Sequence, residues 1–393
     1  MPAASVDVAV IGAGIIGMSI GYHLLQLDPS LRVAVLERAP VPGTGATAKA
    51  TGGIRYQFAS ELQLRLSLLS RPVFENFQEL FGVDIGLRHH GYLFVTAQAE
   101  RLAAMARAAQ MQRRLGIPAE ELSPDDARRL CPPLAAGDLV GATFCAWDGS
   151  ADPHAVLQGF WKGFRERGGR LVTEAEVVGL RRHPGSGSGG GWSVQTAAGT
   201  FEAASVVLAA GPFSRSVAAL AGLELPVMPF RRQVFVLTAP PGFPAVIPLT
   251  VDADSGWYVH AHRGGALLCG GTDRDTRPGL EEVVDWSGFG PVCEAMQRRM
   301  PVLLEAEVTR AYTGIRALTP DLHPILGPVD GWPGLYLACG MSGHGIMHSP
   351  AVGRLVAEWV VLGRPESWPG ATMLGLRRFC EGQPSHAHEV TAL

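Results

Sequence analysis

Short apolar runs ended by glycine recur along this chain. The first is Val8-Ala9-Val10-Ile11, followed by Gly12. Four apolar residues in a row are too few for a helix and predict a buried strand. Val33-Ala34-Val35-Leu36 repeats the pattern and stops at Glu37. Two further runs, Ser205-Val206-Val207-Leu208 and Leu335-Tyr336-Leu337-Ala338-Cys339, lead into Gly211 and Gly340. Strands without polar alternation belong to parallel sheets covered on both faces.

Helical periodicity fills the gaps between these runs. Residues 59–81 carry Leu62, Leu66, Leu69, Val73 and Phe77 at helical spacing, and Pro72 is expected to kink or split that helix. Helices are also predicted over 98–115, from Ser123-Pro124 onward, over 155–167 and 282–299, and from about 349 to 362. In the last, Ser349 is read as the cap and Pro350 as the first helical position. Further strands are expected over 91–95, 170–172, 176–180, 192–196, 233–238, 256–260 and 266–270. The Gly-, Thr- and Ala-rich stretch 39–53 reads as a loop able to press its backbone on a ligand. The Gly/Ser tract 185–191 reads as a hairpin tip rather than a linker, because a strand resumes at Trp192. Residues 380–393 read as a frayed end, and no internal repeat is evident.

The turn Gly12-Ala13-Gly14-Ile15-Ile16-Gly17 joins the first strand to a helix. Gly12 makes the turn, Gly14 admits a pyrophosphate to the backbone, and Gly17 lets the helix lie close on the sheet. The N–H groups and dipole of that helix favour an anion. Glu37 stands twenty positions after Gly17, at the end of the second strand, where a carboxylate accepts from ribose hydroxyls. The pairing predicts a dinucleotide site.

At 393 residues the chain is expected to hold two domains. Its net charge of −3, without a basic run, argues against nucleic-acid binding. Residues 8–27 carry no Asp, Glu, Lys or Arg and so mimic a membrane span, but a span has no use for a phosphate-binding turn. No basic segment precedes it as in a secretory signal. A soluble, cytoplasmic protein is the expectation. The six cysteines, at 131, 145, 269, 293, 339 and 380, form no C-x-x-C pair and read as small buried hydrophobes in a reducing compartment. Neither they nor the histidines show metal-ligand spacing.

Four elements in this order resemble the FAD-dependent oxidoreductases of the D-amino-acid oxidase superfamily. They are the Gly12–Gly17 turn with Glu37; Thr51-Gly52-Gly53-Ile54-Arg55; Leu208-Ala209-Ala210-Gly211-Pro212-Phe213-Ser214; and Gly314-Ile315-Arg316 with Ser342-Gly343-His344-Gly345. Within that superfamily the pattern is similar to the branch holding sarcosine oxidase, glycine oxidase and dehydrogenase subunits acting on proline-like and N-alkyl amino acids. The likeness covers nearly the whole chain. It implies an α/β plus α+β architecture. A Rossmann-like FAD-binding domain would comprise residues 1–87, 145–226 and 319–393, with an inserted antiparallel-sheet substrate domain of 88–144 and 227–318.

The resemblance further implies FAD in an extended pose. Gly12, Ala13, Gly14, Ile15, Ile16 and Gly17 would form its phosphate turn. Glu37 would hold the adenosine ribose, and Arg38 would lie over the adenine side. Thr47, Thr51 and Gly52 would approach the pyrophosphate or flavin, and Val177 would offer its backbone to the adenine. Ala210 and Gly211 would close the second side. Gly314 and Arg316 would lie beside the ring. The turn of Gly343, His344, Gly345, Ile346 and Met347 would meet the pyrimidine end, where N–H groups and a helix dipole steady negative charge. His344 would act there through its backbone.

Such an enzyme takes a hydride from a neutral amine, and the imine product hydrolyses. A carboxylate on the substrate needs a fixed partner, for which the arginine fork is suited. Arg316 matches a carboxylate-binding arginine of the glycine oxidase branch and Arg55 one of the sarcosine oxidase branch; the bland alternative for each is a structural ion pair or an FAD phosphate contact. Tyr258 and His260 alternate onto one strand face and Trp257 onto the other, so each is a candidate for the pocket. Three departures from the family pattern matter. Gly314 replaces a cysteine that links to the flavin, so non-covalent FAD is expected. Leu268 replaces a lysine that promotes reaction with O2. Met347 replaces a carboxylate-binding lysine. The expected activity is oxidation of an amine or amino acid, a secondary amine favoured, with O2, a protein or a quinone as electron acceptor. The alternatives are an FAD-bearing electron-transfer subunit or assembly factor, and an NAD(P)-dependent dehydrogenase.

Overall fold

A computed structural model of the protein describes residues 4–183, 190–271 and 277–379. β1 (Ala4–Ile11) runs into α1 (Ile15–Leu27) and β2 (Val33–Leu36). β3 (Gly53–Ile54), α2 (Glu61–Glu75), α3 (Phe77–Phe81), β4 (Tyr92–Thr96), α4 (Ala99–Arg114), β5 (Ala119–Leu122), α5 (Pro124–Leu130), β6 (Gly141–Cys145) and β7 (Gly149–Ser150) follow. Next come α6 (Pro153–Glu166), β8 (Arg170–Val172), β9 (Val177–His183), β10 (Gly191–Thr196), β11 (Gly199–Leu208) and α7 (Ser214–Ala219). The rest comprises β12 (Met228–Thr238), β13 (Leu249–Asp252), β14 (Tyr258–Ala261), β15 (Ala266–Gly270), α8 (Phe289–Arg299), β16 (Val308–Leu318), β17 (Ile325–Pro328), β18 (Leu335–Cys339) and α9 (Gly345–Leu362).

Two large sheets result. In the first, β18, β11, β1, β2 and β8 run parallel, β17 closes one edge antiparallel, and the β9–β10 hairpin attaches to β11. β1 and β2 bury the apolar runs the sequence marks out. The second sheet has the order β16-β12-β15-β14-β13-β4-β6-β5. It is antiparallel except between β4 and β13, which pair in parallel where antiparallel pairing was expected throughout. The strands of this second sheet come from residues 92–145 and 228–318.

α1 lies between the first sheet and α9, and every residue of its first three turns is buried. Two glycines permit the approach. A Cβ on Gly17 would come 1.9 Å from the Gly12 carbonyl oxygen, and one on Gly353 would come 2.1 Å from Ser19 Oγ. Ser19 Oγ instead donates to the Ser349 carbonyl, at 2.7 Å. This tight contact aims the N-terminus of α1 at the carboxyl ends of the strands, the crevice where α/β sheets place ligands.

Several expected boundaries shift, each for a visible reason. α9 starts at Gly345, with Ser349 and Pro350 inside it rather than at its cap. The N–H that Pro350 lacks would have reached the Ile346 carbonyl, which accepts from Ser349 Oγ at 2.9 Å instead. The Ala351 N–H donates to Ser70 Oγ of α2. α2 likewise runs through Pro72, and the chain breaks only at Asn76, whose amide donates to the Pro72 carbonyl. Of the expected stripe Leu66 and Phe77 are buried, but Leu62, Leu69 and Val73 are only half-buried; the helix buries Gln63, Leu64, Ser67, Ser70 and Phe74 as well, where α9 packs and offers polar groups. α8 begins at Phe289, not at 282, since Asp285 caps one 3-10 turn, Trp286–Gly288, ahead of it. The expected loop over 39–53 contains a further 3-10 turn, Ala46–Lys49. β9 and β10 pair as a hairpin. The tip of that hairpin, 184–189, and the segment 380–393, Cys380 included, lie outside the described residues. Cys131, Cys145, Cys269 and Cys339 are buried free thiols, whereas Cys293 is half-exposed.

Candidate active site

A long cleft follows the carboxyl ends of β1, β2, β11 and β18 and continues beneath the second sheet. Of the residues singled out in the sequence, Gly12, Gly14, Ile15, Ile16, Glu37, Arg38, Thr47, Thr51, Val177, Ala210, Gly211, Gly314, Arg316, Gly343, Gly345, Ile346 and Tyr258 line it. The glycine turn is shaped by its neighbours. Gly12 has φ +106°, and a Cβ there would meet the Ala209 carbonyl oxygen at 2.5 Å. Gly14, the N-cap of α1, offers no capping side chain; Thr47 Oγ1 reaches across from the neighbouring loop and accepts from the Ile15 N–H at 3.1 Å. Glu37 also braces the turn: one carboxylate oxygen accepts from the Ala13 N–H and the other from the Ala39 N–H, both at 2.9 Å. Arg38 lies 3.7 Å over the Phe213 ring, clasping the two sides of the cleft.

Five residues expected at the cofactor do not line the cleft. Gly17 is spent on helix packing. Ala13 gives its N–H to Glu37. Gly52, at φ +84°, has the Ala151 carbonyl oxygen 2.2 Å from where a Cβ would stand. Met347 is buried in the core against α1 and α2. His344 turns inward, where its Nε2 faces the Arg55 guanidinium at 3.0 Å and its ring meets Phe58 edge-on.

The two arginines therefore separate. Arg316 reaches the cleft, its guanidinium lying against Gly343, where a Cβ would meet Nε, Cδ and Cζ at 3.0–3.2 Å. Arg55 is buried behind it, its guanidinium 4.1 Å over the Phe58 ring and 5.7 Å from the Phe94 ring. Burial pushes the phenols of Tyr92 and Tyr258 well above their ordinary range, with Arg316 opposing the shift in both. Tyr258 lines the cleft, but its strand-mates do not. Trp257 is core packing between the second sheet and α8. His260 is 1 % exposed beside His90 and His262, and burial holds its imidazole neutral, near 3. Alternation thus set Trp257 apart from Tyr258 correctly, yet the face that carries Tyr258 leaves the cleft before it reaches His260.

Sequence reasoning missed Lys49, which lines the cleft where its Cβ lies 2.7 Å from the place of a Gly314 Cβ. The signal was available, since Lys49 is one of two lysines in the chain and stands in the glycine-rich loop. It also missed Asp148, a fully buried carboxylate under the Arg55 segment. Among the described residues no group of three or more His, Cys, Asp or Glu is placed to hold a metal ion, and no helix is long and apolar enough to cross a membrane.

The family described as "FAD dependent oxidoreductase", DAO, matches residues 7–359. The chain belongs to the DAO family. It is an FAD-dependent oxidoreductase of the amine- and amino-acid-oxidising kind, which excludes the NAD(P) alternative. It is 31% identical to glycine oxidase of Geobacillus kaustophilus over 365 residues, covering 90% of this chain and 92% of that protein. It is 28% identical over 397 residues to mouse mitochondrial sarcosine dehydrogenase, covering 98% of this chain but only 42% of that longer protein. Among solved structures, L-proline dehydrogenase from P. horikoshii superposes with a TM-score of 0.88 at 26% identity, covering 97% of this chain and 99% of that one. The cleft of this DAO-family chain fits the cofactor chemically. The N-terminus of α1 opens onto it at Gly14, where an added Cβ would meet only Thr47 Oγ1, so a phosphate can come close to the backbone. A second uncapped N-terminus, that of α9, closes the far end.

Proposed function

We propose that this enzyme oxidises the C–N bond of a small amino acid, a secondary amine such as sarcosine or proline favoured, with Arg316 anchoring the substrate carboxylate. The position of the Arg316 guanidinium, in the cleft and flat against Gly343 at the turn before α9, carries this reading. The names of the relatives agree with it, since glycine, sarcosine and proline are all short amino acids.

Bound FAD would supply the acceptor for one hydride, that is, two electrons carried with one proton. The chain does the rest. Glu37 with Gly12, Gly14, Ile15 and Ile16 of the turn would hold the adenosine diphosphate half, and Arg38 with Phe213 would cover the adenine side. Gly314 carries no thiol, so the cofactor is held without a covalent link there. Arg316 pairs with the substrate carboxylate through its fork and orients the carbon beside nitrogen. Tyr258 forms a wall of the same pocket. The positive charge of Arg316 also disfavours an ammonium nearby, so the substrate sheds its proton to bulk water on entry and needs no dedicated base. The N-terminus of α9 would present its positive dipole end to the bound cofactor and favour negative charge there.

The test is Arg316→Ala in purified holoenzyme. FAD content should stay near wild type, while anaerobic reduction by amino acids should lose at least about tenfold in apparent affinity, the scale of a lost buried charge pair. Unchanged reduction kinetics would remove Arg316 from the site. An oxygen-electrode trace beside a dye-reduction assay separates an oxidase from a dehydrogenase.

A further inference from the structure

Asp148 stands in the turn between β6 and β7 and is 0 % exposed. One carboxylate oxygen accepts from the Tyr56 N–H at 2.5 Å and the other from Gln57 Nε2 at 2.7 Å. Gln57 Nε2 also donates to the Tyr92 carbonyl, and the Asp148 carbonyl accepts from the Gly91 N–H. The carboxylate therefore ties the two residues after Arg55 to the strand that carries Tyr92 and Phe94. Arg55, Asp148 and Arg316 all lie within electrostatic reach of the Tyr92 hydroxyl, so the four groups share one locale.

We propose that Asp148 is a positioning residue of the substrate site: it fixes Arg55 through Tyr56 and Gln57, and it is an internal counter-charge to Arg55. The inference rests on the reading that Arg316 receives a substrate carboxylate. A buried carboxylate beside Arg55 opposes the arrival of a second one in the adjoining cleft, so ligand binding draws a proton onto Asp148. Burial already raises this carboxyl to about 7, against the lowering pull of Gln57, Tyr56 and Arg55. Its protonation is thus poised where it can respond.

The other groups facing Asp148 are few. From the 53–58 segment come Arg55 and Tyr56, from β4 Tyr92, and from β6 Cys145, whose thiol burial pushes up. Arg71 and Glu75 of α2 act on Tyr56 from outside. His90 is pushed down by burial, and His348 is held neutral near 3. His344 Nε2 faces the Arg55 guanidinium at 3.0 Å. Protonating it would also favour an anion, which is why the proton uptake is compared between wild type and Asp148→Asn rather than read from wild type alone.

The experiment titrates holoenzyme with benzoate, an unreactive carboxylate, following the perturbation of the flavin spectrum from pH 6 to 8.5, together with the proton uptake in buffers of different ionisation enthalpy. In wild type the apparent Kd should rise by about tenfold with pH across this range, with up to one proton taken up per ligand. In Asp148→Asn, nearly isosteric, the dependence should flatten, the proton uptake should fall, and affinity at high pH should approach the low-pH limit. A structural role alone would weaken binding at every pH. If Asp148→Asn fails to fold, Gln57→Met serves. It removes a bond that favours the carboxylate and should move the midpoint to higher pH. Wild-type pH dependence persisting in Asp148→Asn, or an unmoved midpoint in Gln57→Met, overturns the proposal. Benzoate and amino acids that leave the wild-type flavin spectrum unperturbed overturn the substrate reading beneath it instead.

Discussion

Replacing Gly14 by alanine separates the fold from the cofactor. Gly14 has φ −72°, a value any residue adopts, and an added Cβ would meet only Thr47 Oγ1, at 3.4 Å. Alanine is a poorer N-cap than glycine by up to about 1 kcal/mol. It also surrenders roughly 0.4–1 kcal/mol less backbone entropy on folding. These terms nearly cancel, so the variant should unfold within a few degrees of wild type when both are stripped of FAD. Bound FAD changes the balance. The methyl would stand where the pyrophosphate packs on the turn, and overpacking of that kind costs about 1–3 kcal/mol, or roughly 5–150-fold in Kd. The assay is FAD titration of stripped protein, followed by recovery of flavin fluorescence quenching, beside thermal unfolding of the same samples. A variant that binds FAD with wild-type affinity would falsify the placement of the pyrophosphate at Gly14. A variant that unfolds far below wild type without cofactor would contradict the packing.

Gly17→Ala is expected to do the opposite. The helix gains about 1 kcal/mol of propensity, but the Cβ would stand 1.9 Å from the Gly12 carbonyl oxygen, backbone against backbone, so stability should fall even without FAD, as urea unfolding will show. Thr47→Val removes the acceptor from the Ile15 N–H and should cost about 1 kcal/mol in the same assay. Acid should destabilise the protein well above the carboxylate range. His23, fully buried, is depressed to about 4, and His260 and His348 to about 3. The unfolded chain takes up protons below about pH 6.5 while these folded imidazoles do not, so their stability contribution is full above that pH and falls as pH drops towards 4, by at most about 4 kcal/mol per unit for three groups; Asp148, raised to about 7, returns about 1.4 kcal/mol per unit over the same range, which leaves a net loss. Urea midpoints at pH 7 and pH 5 check the sign; a higher midpoint at pH 5 refutes it.

The cofactor half of the site was legible because its determinants are local. The Gly12–Gly17 turn and Glu37 lie within one βαβ unit, and the apolar runs of β1, β2, β11 and β18 state their burial directly. What was not legible depends on partners far along the chain. Pro350 looked like a helix start because nothing nearby reveals that Ser349 and Ser70, 281 residues from Ala351, satisfy the groups around it. The buried face of α2 includes Ser67 and Ser70 because α9 meets them with the His348 ring and the Ala351 N–H, which periodicity cannot see. His260 and Tyr258 share a strand face, yet β14 leaves the cleft between them. Asp148 carried no motif, since its partners Tyr56 and Gln57 are 92 and 91 residues away.

The most direct measurement mixes holoenzyme anaerobically with glycine, sarcosine, proline and their decarboxylated amines and records the visible flavin band. Bleaching by at least one secondary amino acid, and far slower or no bleaching by the matching amine without a carboxylate, is the expected result. A flavin that dithionite reduces fully but that no amino acid or amine reduces would contradict a substrate site built on Arg316.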